Sequence, residues 1–128
     1  MNFEYIIKDY ITGKPVRNVG AEASRQVVEK FLVEEKRFLP EEIQVGVGLT
    51  VQFQGEDYVS SMDLIVCPEN RPLMALTCVA GSIGSYEREI LSGARLVYEN
   101  QIPLAVSTDG RDAVVLDTLT GETIGKDM

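Results

Sequence analysis

The stretch from residue 73 to residue 108 most limits what this chain can fold into. LMALTCVA (73–80) has the pattern of a buried strand, and IPLAVST (102–108) is a second short apolar run. Between them, GSIGSYEREILSGARLVYENQ repeats apolar residues at three- and four-residue steps: Ile83, Tyr86, Ile90, Ala94 and Val97, with Leu91 and Tyr98 widening the stripe. A strand, a crossover helix and a second strand form a βαβ unit, so LAVS is expected parallel to LMALTCVA. Gly93 in mid-helix costs about 1 kcal/mol against Ala, which suggests close packing on the sheet.

The remaining segments surround that unit. FEYIIKDYITGKPVRN reads as a short hairpin, with Thr12-Gly13 in the turn and Pro15 confining the return strand to an edge. KDYITGKPV and the later LDTLTGETI share the phrase D-x-[IL]-T-G-x-x-[VI], which we read as two hairpins with one turn chemistry. AEASRQVVEKFLVEEKRFLPEE predicts a helix burying Ala21, Val28, Phe31 and Leu32, with Val27 alongside, and stopped by Pro40. Glu22 in its first turn suits the helix dipole. VGVGLTVQFQ (45–54) sets Leu49, Val51 and Phe53 against Thr50, Gln52 and Gln54, a strand with one wet face. QGEDY is expected to turn the chain, SMDLIVC (61–67) to be a more buried strand, and PENRP to turn again. DGRD turns into AVVLD, and TLTGETIG closes with a hairpin. The expected order is hairpin, α, β, β, β, α, β, β, an α/β domain with a mixed central sheet. Residues 1–128 are expected to form one domain, with 1–19 a hairpin appendage and 20–128 the core.

Composition removes several kinds of chemistry. The chain has no histidine, so the usual Ser-His and Cys-His pairs and the commonest metal ligand are missing. Cys67 and Cys78 are too few for a disulfide framework and not spaced as a zinc knuckle, so both are expected as reduced core residues. The net charge of −8 disfavours unaided binding to nucleic acid. Clustering of Lys14, Arg17, Arg25, Lys30, Arg88 and Arg95 would be needed to build a basic groove. Neither a Walker A loop nor a G-x-S-x-G elbow occurs. No apolar run approaches the roughly 20 residues of a membrane helix. The acidic start, MNFEYIIKDY, is unlike a signal peptide, so a cytoplasmic location is expected.

Asp63 requires an explanation, because Asp inside an apolar strand needs a partner. If PENRP is a five-residue loop, Cys67 faces Leu73 and Asp63 faces Thr77. Alternation then sets Thr77 and Val79 on one face, with Asp63, while Cys78 points the other way. An acid facing positions i and i+2 of the next strand is the geometry of a metal-dependent nuclease, which places Asp, then [Asp/Glu]-x-Lys, around Mg²⁺.

Several phrases carry a family resemblance: AEASRQ opening the first helix, SMDLIVCPENRPLMALTCV across the hairpin, and the tail IPLAVSTDGRDAVVLDTLTG. In their order and spacing, from about Asp9 to Gly125, the chain resembles the N-terminal domain family of type I restriction enzyme R subunits, within the PD-(D/E)xK nuclease superfamily. The resemblance implies a restriction-endonuclease-like core with two flanking helices and N- and C-terminal hairpins. Carried across by position, Glu22 matches the helix acid and Asp63 the metal-binding Asp. Thr77 stands where the second carboxylate belongs, and Val79 where the Lys belongs. Ser61-Met62-Asp63-Leu64 replaces a common R-A-D-L phrase, so the basic residue before the Asp is missing too. Full restriction subunits carry an ATP-driven motor after this domain, which a chain of this length is not expected to contain.

The expected function is a catalytically degenerate, stand-alone binding or regulatory module, with Asp63 and Glu22 as remnants of a weak or absent metal site and no cofactor. One alternative is a metal-dependent DNA endonuclease using Mg²⁺ with a rearranged site, for which Glu87, Arg88 and Glu89 are the nearby candidates. The other is a structural or oligomeric module that meets no nucleic acid. A protein partner or a second copy of the chain fits the charge better than DNA, and no membrane partner is expected.

Overall fold

A computed structural model describes residues 6–126, apart from the side chains of 51–53 and 58–60. The expectations for Phe3 to Tyr5, and for the side chains of Val51, Gln52 and Phe53, lie outside what it describes. The order is β1 (Ile6–Lys8), β2 (Pro15–Arg17), α1 (Glu22–Glu34), β3 (Ile43–Phe53), β4 (Glu56–Val66), β5 (Met74–Cys78), α2 (Glu87–Leu96), β6 (Leu104–Thr108), β7 (Ala113–Asp117) and β8 (Thr123–Gly125). β3 to β8 form a six-stranded sheet in sequence order, and β1 and β2 pair separately. β6 is parallel to β5, with Met74 beside Leu104 and Cys78 beside Thr108, as the crossover required. The other pairings are antiparallel, so the sheet is mixed.

The helices cover opposite faces. Val28 and Leu32 of α1 pack on Leu64, Val66, Leu76, Cys78 and Val106, while Ile90 and Ala94 of α2 pack on Ile65, Ala75 and Ala105. Alternation along the strands sorts their side chains between the two layers. Gly93 does mark a close approach: a Cβ there would lie 3.1 Å from Met62 Sδ.

Both D-x-[IL]-T-G phrases build the same turn. Asp9 Oδ2 accepts the Thr12 N–H at 2.8 Å, and Asp117 Oδ1 accepts the Leu119 and Thr120 N–H groups at 2.8 and 3.4 Å. In each case the Gly N–H returns to the Asp carbonyl, at 2.9 Å for Gly13 and 2.7 Å for Gly121. An Asp carboxylate that accepts N–H groups two and three residues on is the Asx mechanism of turn formation.

Three boundaries differ from expectation. The turn after β3 is only Gln54-Gly55, both at positive φ (53° and 81°), so Glu56 to Tyr58 are strand and β4 starts five residues earlier than SMDLIVC. Two such residues match the strand twist in a hairpin. α1 ends at Glu34, well before Pro40, because the chain turns at Arg37 in the left-handed region (φ 63°); Pro40 opens a short 3-10 turn instead. α2 occupies only Glu87–Leu96, after a 3-10 turn over Ile83–Tyr86. Tyr86 is consequently exposed, and Ile83 serves through its carbonyl, which accepts the Ser107 hydroxyl at 2.6 Å.

One irregularity positions the site. β3 and β4 pair from Ile43–Val66 to Phe53–Glu56, with a single gap where Gly46 lies opposite Asp63. Gly46 has φ 69°, open to a residue without a Cβ. Across this point the strands exchange faces. Val45 and Leu64 pack on the α1 side, whereas Val47 and Met62 pack on the α2 side.

Candidate functional site

β4 and β5 pair only at Leu64–Leu76, Ile65–Ala75 and Val66–Met74, although β5 continues to Cys78. Continued by one step, this register sets Asp63 opposite Thr77, and at the other end Cys67 opposite Leu73, as the loop length predicted. Beyond Leu64 the strands part, and the Asp63 side chain fills the opening. Its Oδ2 accepts the Cys78 N–H at 2.8 Å and the Thr77 hydroxyl at 3.3 Å. A carboxylate oxygen thus replaces the backbone carbonyl that a continuing strand would have supplied. Strict alternation breaks at this point of β4, since Leu64 and Met62 pack on opposite faces, and the Asp63 carboxylate between them reaches both the Thr77 hydroxyl and the Cys78 N–H.

Val79 is buried, and its N–H donates to the Thr108 carbonyl at 2.8 Å. Cys78 joins the apolar layer under α1 and Cys67 the layer under α2, so the two thiols lie on opposite faces. Burial pushes both thiols above their ordinary range. For Cys78 the charge of Asp63 adds to burial, Arg25 opposes, and Glu29 and Glu22 add further. The thiol therefore marks a place where β4, β5 and α1 bring charged groups together.

On α1 the charges are already paired. Glu22 Oε1 receives Arg25 Nη2 at 2.6 Å and Gln26 Nε2 at 2.8 Å. The same two donors reach Asp9 Oδ1, at 3.3 and 2.8 Å, from the N-terminal turn. Arg25 Nε lies 3.4 Å from Glu29 Oε2, and the Ile11 N–H donates to Glu29 Oε1 at 3.2 Å. Glu29 is fully buried and Asp9 is 2% exposed. Burial pushes Glu29 up to about 8, helped by its hydrogen bond to Asp9 and by that neighbour's charge, against the Ile11 N–H and Arg25. Burial also works to raise Asp9, but hydrogen bonds from Glu29, Thr12 and Gln26 outweigh it and hold that carboxyl at about 2. Two adjacent carboxyls are thereby driven apart, one ionised and one protonated.

Sequence reasoning singled out Glu22, named Arg25 only for a basic groove, and missed Asp9, Gln26 and Glu29. A signal was present: Glu22, Arg25, Gln26 and Glu29 fall at i, i+3, i+4 and i+7, one helix stripe filled by polar residues. Glu22 and Asp63 share no hydrogen bond, and among the described residues no group of three or more His, Cys, Asp or Glu is gathered to hold a metal ion. Glu87, Arg88 and Glu89 form the first turn of α2, across the sheet from α1. The basic residues on the two helices that would have to cluster into a groove are divided in the same way. Arg25 and Lys30 are on α1, with Lys30 4.0 Å from Glu34, while Arg88 and Arg95 are on α2, with Arg95 Nε donating to the Thr118 carbonyl at 2.8 Å.

The sequence profile of the type I restriction enzyme R protein N terminus family matches residues 20–127. The chain belongs to this family. The match begins just ahead of α1 and takes in every strand of the six-stranded sheet, so family membership covers the core on which Asp63 and Glu22 lie. No curated protein matched the chain, and no solved structure did. Among the described residues no helix is long and apolar enough to cross a membrane.

Proposed function

We propose that this member of the type I restriction enzyme R protein N terminus family is catalytically degenerate and works as a binding or regulatory module. The observation that carries the reading is the occupation of Asp63 by the Cys78 N–H and the Thr77 hydroxyl. That carboxylate closes the parting of β4 and β5, a structural task that needs no ion. The remaining positions agree. Val79 supplies no charge where the resemblance places a Lys, and Glu22 is held by Arg25 and Gln26. These residues do not fit a divalent ion, which requires free carboxylate oxygens converging on one point. Without a cation near the scissile phosphate the developing charge also lacks its main stabiliser. A net charge of −8 favours a protein surface over DNA as the partner.

The test is a plasmid-nicking assay with Mg²⁺ or Mn²⁺ at millimolar concentration. No metal-dependent nicking above background is expected. Robust cleavage that disappears in Asp63→Ala would overturn the reading and favour an endonuclease with a rearranged site.

A further inference from the structure

The N-terminal hairpin is held on α1 by groups that titrate. The Asp9 turn presents two backbone donors to the helix: the Tyr10 N–H donates to Gln26 Oε1 at 2.7 Å, and the Ile11 N–H lies 3.2 Å from Glu29 Oε1 and from Asp9 Oδ2 of its own turn. Asp9 Oδ1 accepts Gln26 Nε2 and Arg25 Nη2. The second hairpin, built from the same phrase, shows what is specific here. The Asp117 carboxylate serves its own turn at Leu119 and Thr120, whereas Asp9 serves both its turn and a buried cluster on a neighbouring helix.

That cluster has more acid than base. Asp9 comes from the hairpin, Glu22 and Glu29 from α1, and Arg25 is the one cation paired with all three. From the sheet, Asp63 of β4 and the Cys78 thiol of β5 face the same region, and Asp63 adds further negative charge. With Glu29 fully buried beside Asp9, two ionised carboxylates would repel each other out of water. One bound proton removes that repulsion and leaves Glu29 able to donate to Asp9.

We propose that the N-terminal hairpin is a pH-sensitive latch, in which a proton on the buried Glu29 carboxyl holds the Asp9 turn against the helix that carries Glu22. When the hairpin is open, Glu29 meets water and titrates as an ordinary carboxyl; when it is closed, Glu29 keeps its proton to about pH 8. The closed form binds the extra proton between those two values, so opening becomes easier as pH rises through that window and levels off above it. The latch acts on the cluster that pairs Glu22, whether or not the neighbouring site cleaves anything.

Hydrogen exchange of the whole chain, corrected for intrinsic rates, tests this. Protection of the Tyr10, Ile11 and Thr12 amides is expected to fall about tenfold per pH unit between roughly pH 5 and 8, then to level off. At every pH it should remain below that of the Leu76 and Val106 amides in the sheet. In Glu29→Gln, whose amide oxygen still accepts the Ile11 N–H, the slope is expected to vanish. A flat profile in the wild type, the same slope in Glu29→Gln, or hairpin amides that exchange only together with the sheet would each overturn the latch. Carboxyl ¹³C NMR of the wild type gives a second readout. A Glu29 midpoint above pH 6 supports the proposal, and one in the ordinary carboxyl range defeats it.

Discussion

Replacing Asp63 separates a structural carboxylate from a chemical one. In Asp63→Ala the Cys78 N–H loses its acceptor, and Cys78 itself is only 4% exposed. A buried N–H left without a partner costs about 1–3 kcal/mol. The Thr77 hydroxyl is half-buried and its bond is long at 3.3 Å, so its loss adds only a few tenths to about 1 kcal/mol. The sum is about 1–4 kcal/mol, equivalent to about 0.5–2 M in the urea midpoint for a domain of this size. Asp63→Asn retains an oxygen acceptor in the same place and loses only charge assistance, about 1 kcal/mol or less. Urea unfolding followed by circular dichroism in metal-free buffer should give the order wild type, Asn, Ala, from most to least stable. An acid kept for chemistry behaves differently, since relieving a functional site is often neutral or stabilising. An Ala variant as stable as the wild type would refute the reasoning and return Asp63 to the role that the family resemblance suggests.

Two further predictions rest on the layers. Both thiols are buried with raised pKa, so a thiol-reactive chromogenic disulfide at pH 8 should label neither Cys67 nor Cys78 within minutes in the native state and both in concentrated urea; rapid labelling of one equivalent in buffer contradicts that burial. Gly93→Val must displace the Met62 side chain, whose Sδ and Cγ would lie 3.1 and 3.2 Å from a new Cβ, so a loss of about 1–3 kcal/mol is expected in thermal or urea unfolding, and a variant as stable as the wild type counts against that contact.

What the sequence determined by itself was set by local chemistry and periodicity. The parallel pairing of β5 with β6 followed from a helix between two apolar strands, because a crossover of that length allows little else. The paired D-x-[IL]-T-G turns followed from an Asp that reaches its own backbone, which needs nothing from the rest of the fold. The register of Asp63 against Thr77 followed from counting through PENRP. Boundaries that depended on one residue accepting positive φ, at Arg37 and Gln54, were not legible, since neither is a residue type that announces such a conformation.

The site was decided by tertiary structure. Alternation placed Asp63 beside Thr77, whose hydroxyl it accepts, but not the exchange of faces at Gly46 and the parting of β4 from β5, which bring the same carboxylate oxygen to the Cys78 N–H. The sharing of Arg25 and Gln26 between Glu22 and Asp9 depended on the folded hairpin, which brings Asp9 to α1 from thirteen residues before Glu22 in sequence. The protonated state of Glu29 depended on complete burial beside that same Asp, a property of packing in three dimensions that helical spacing suggests but does not fix.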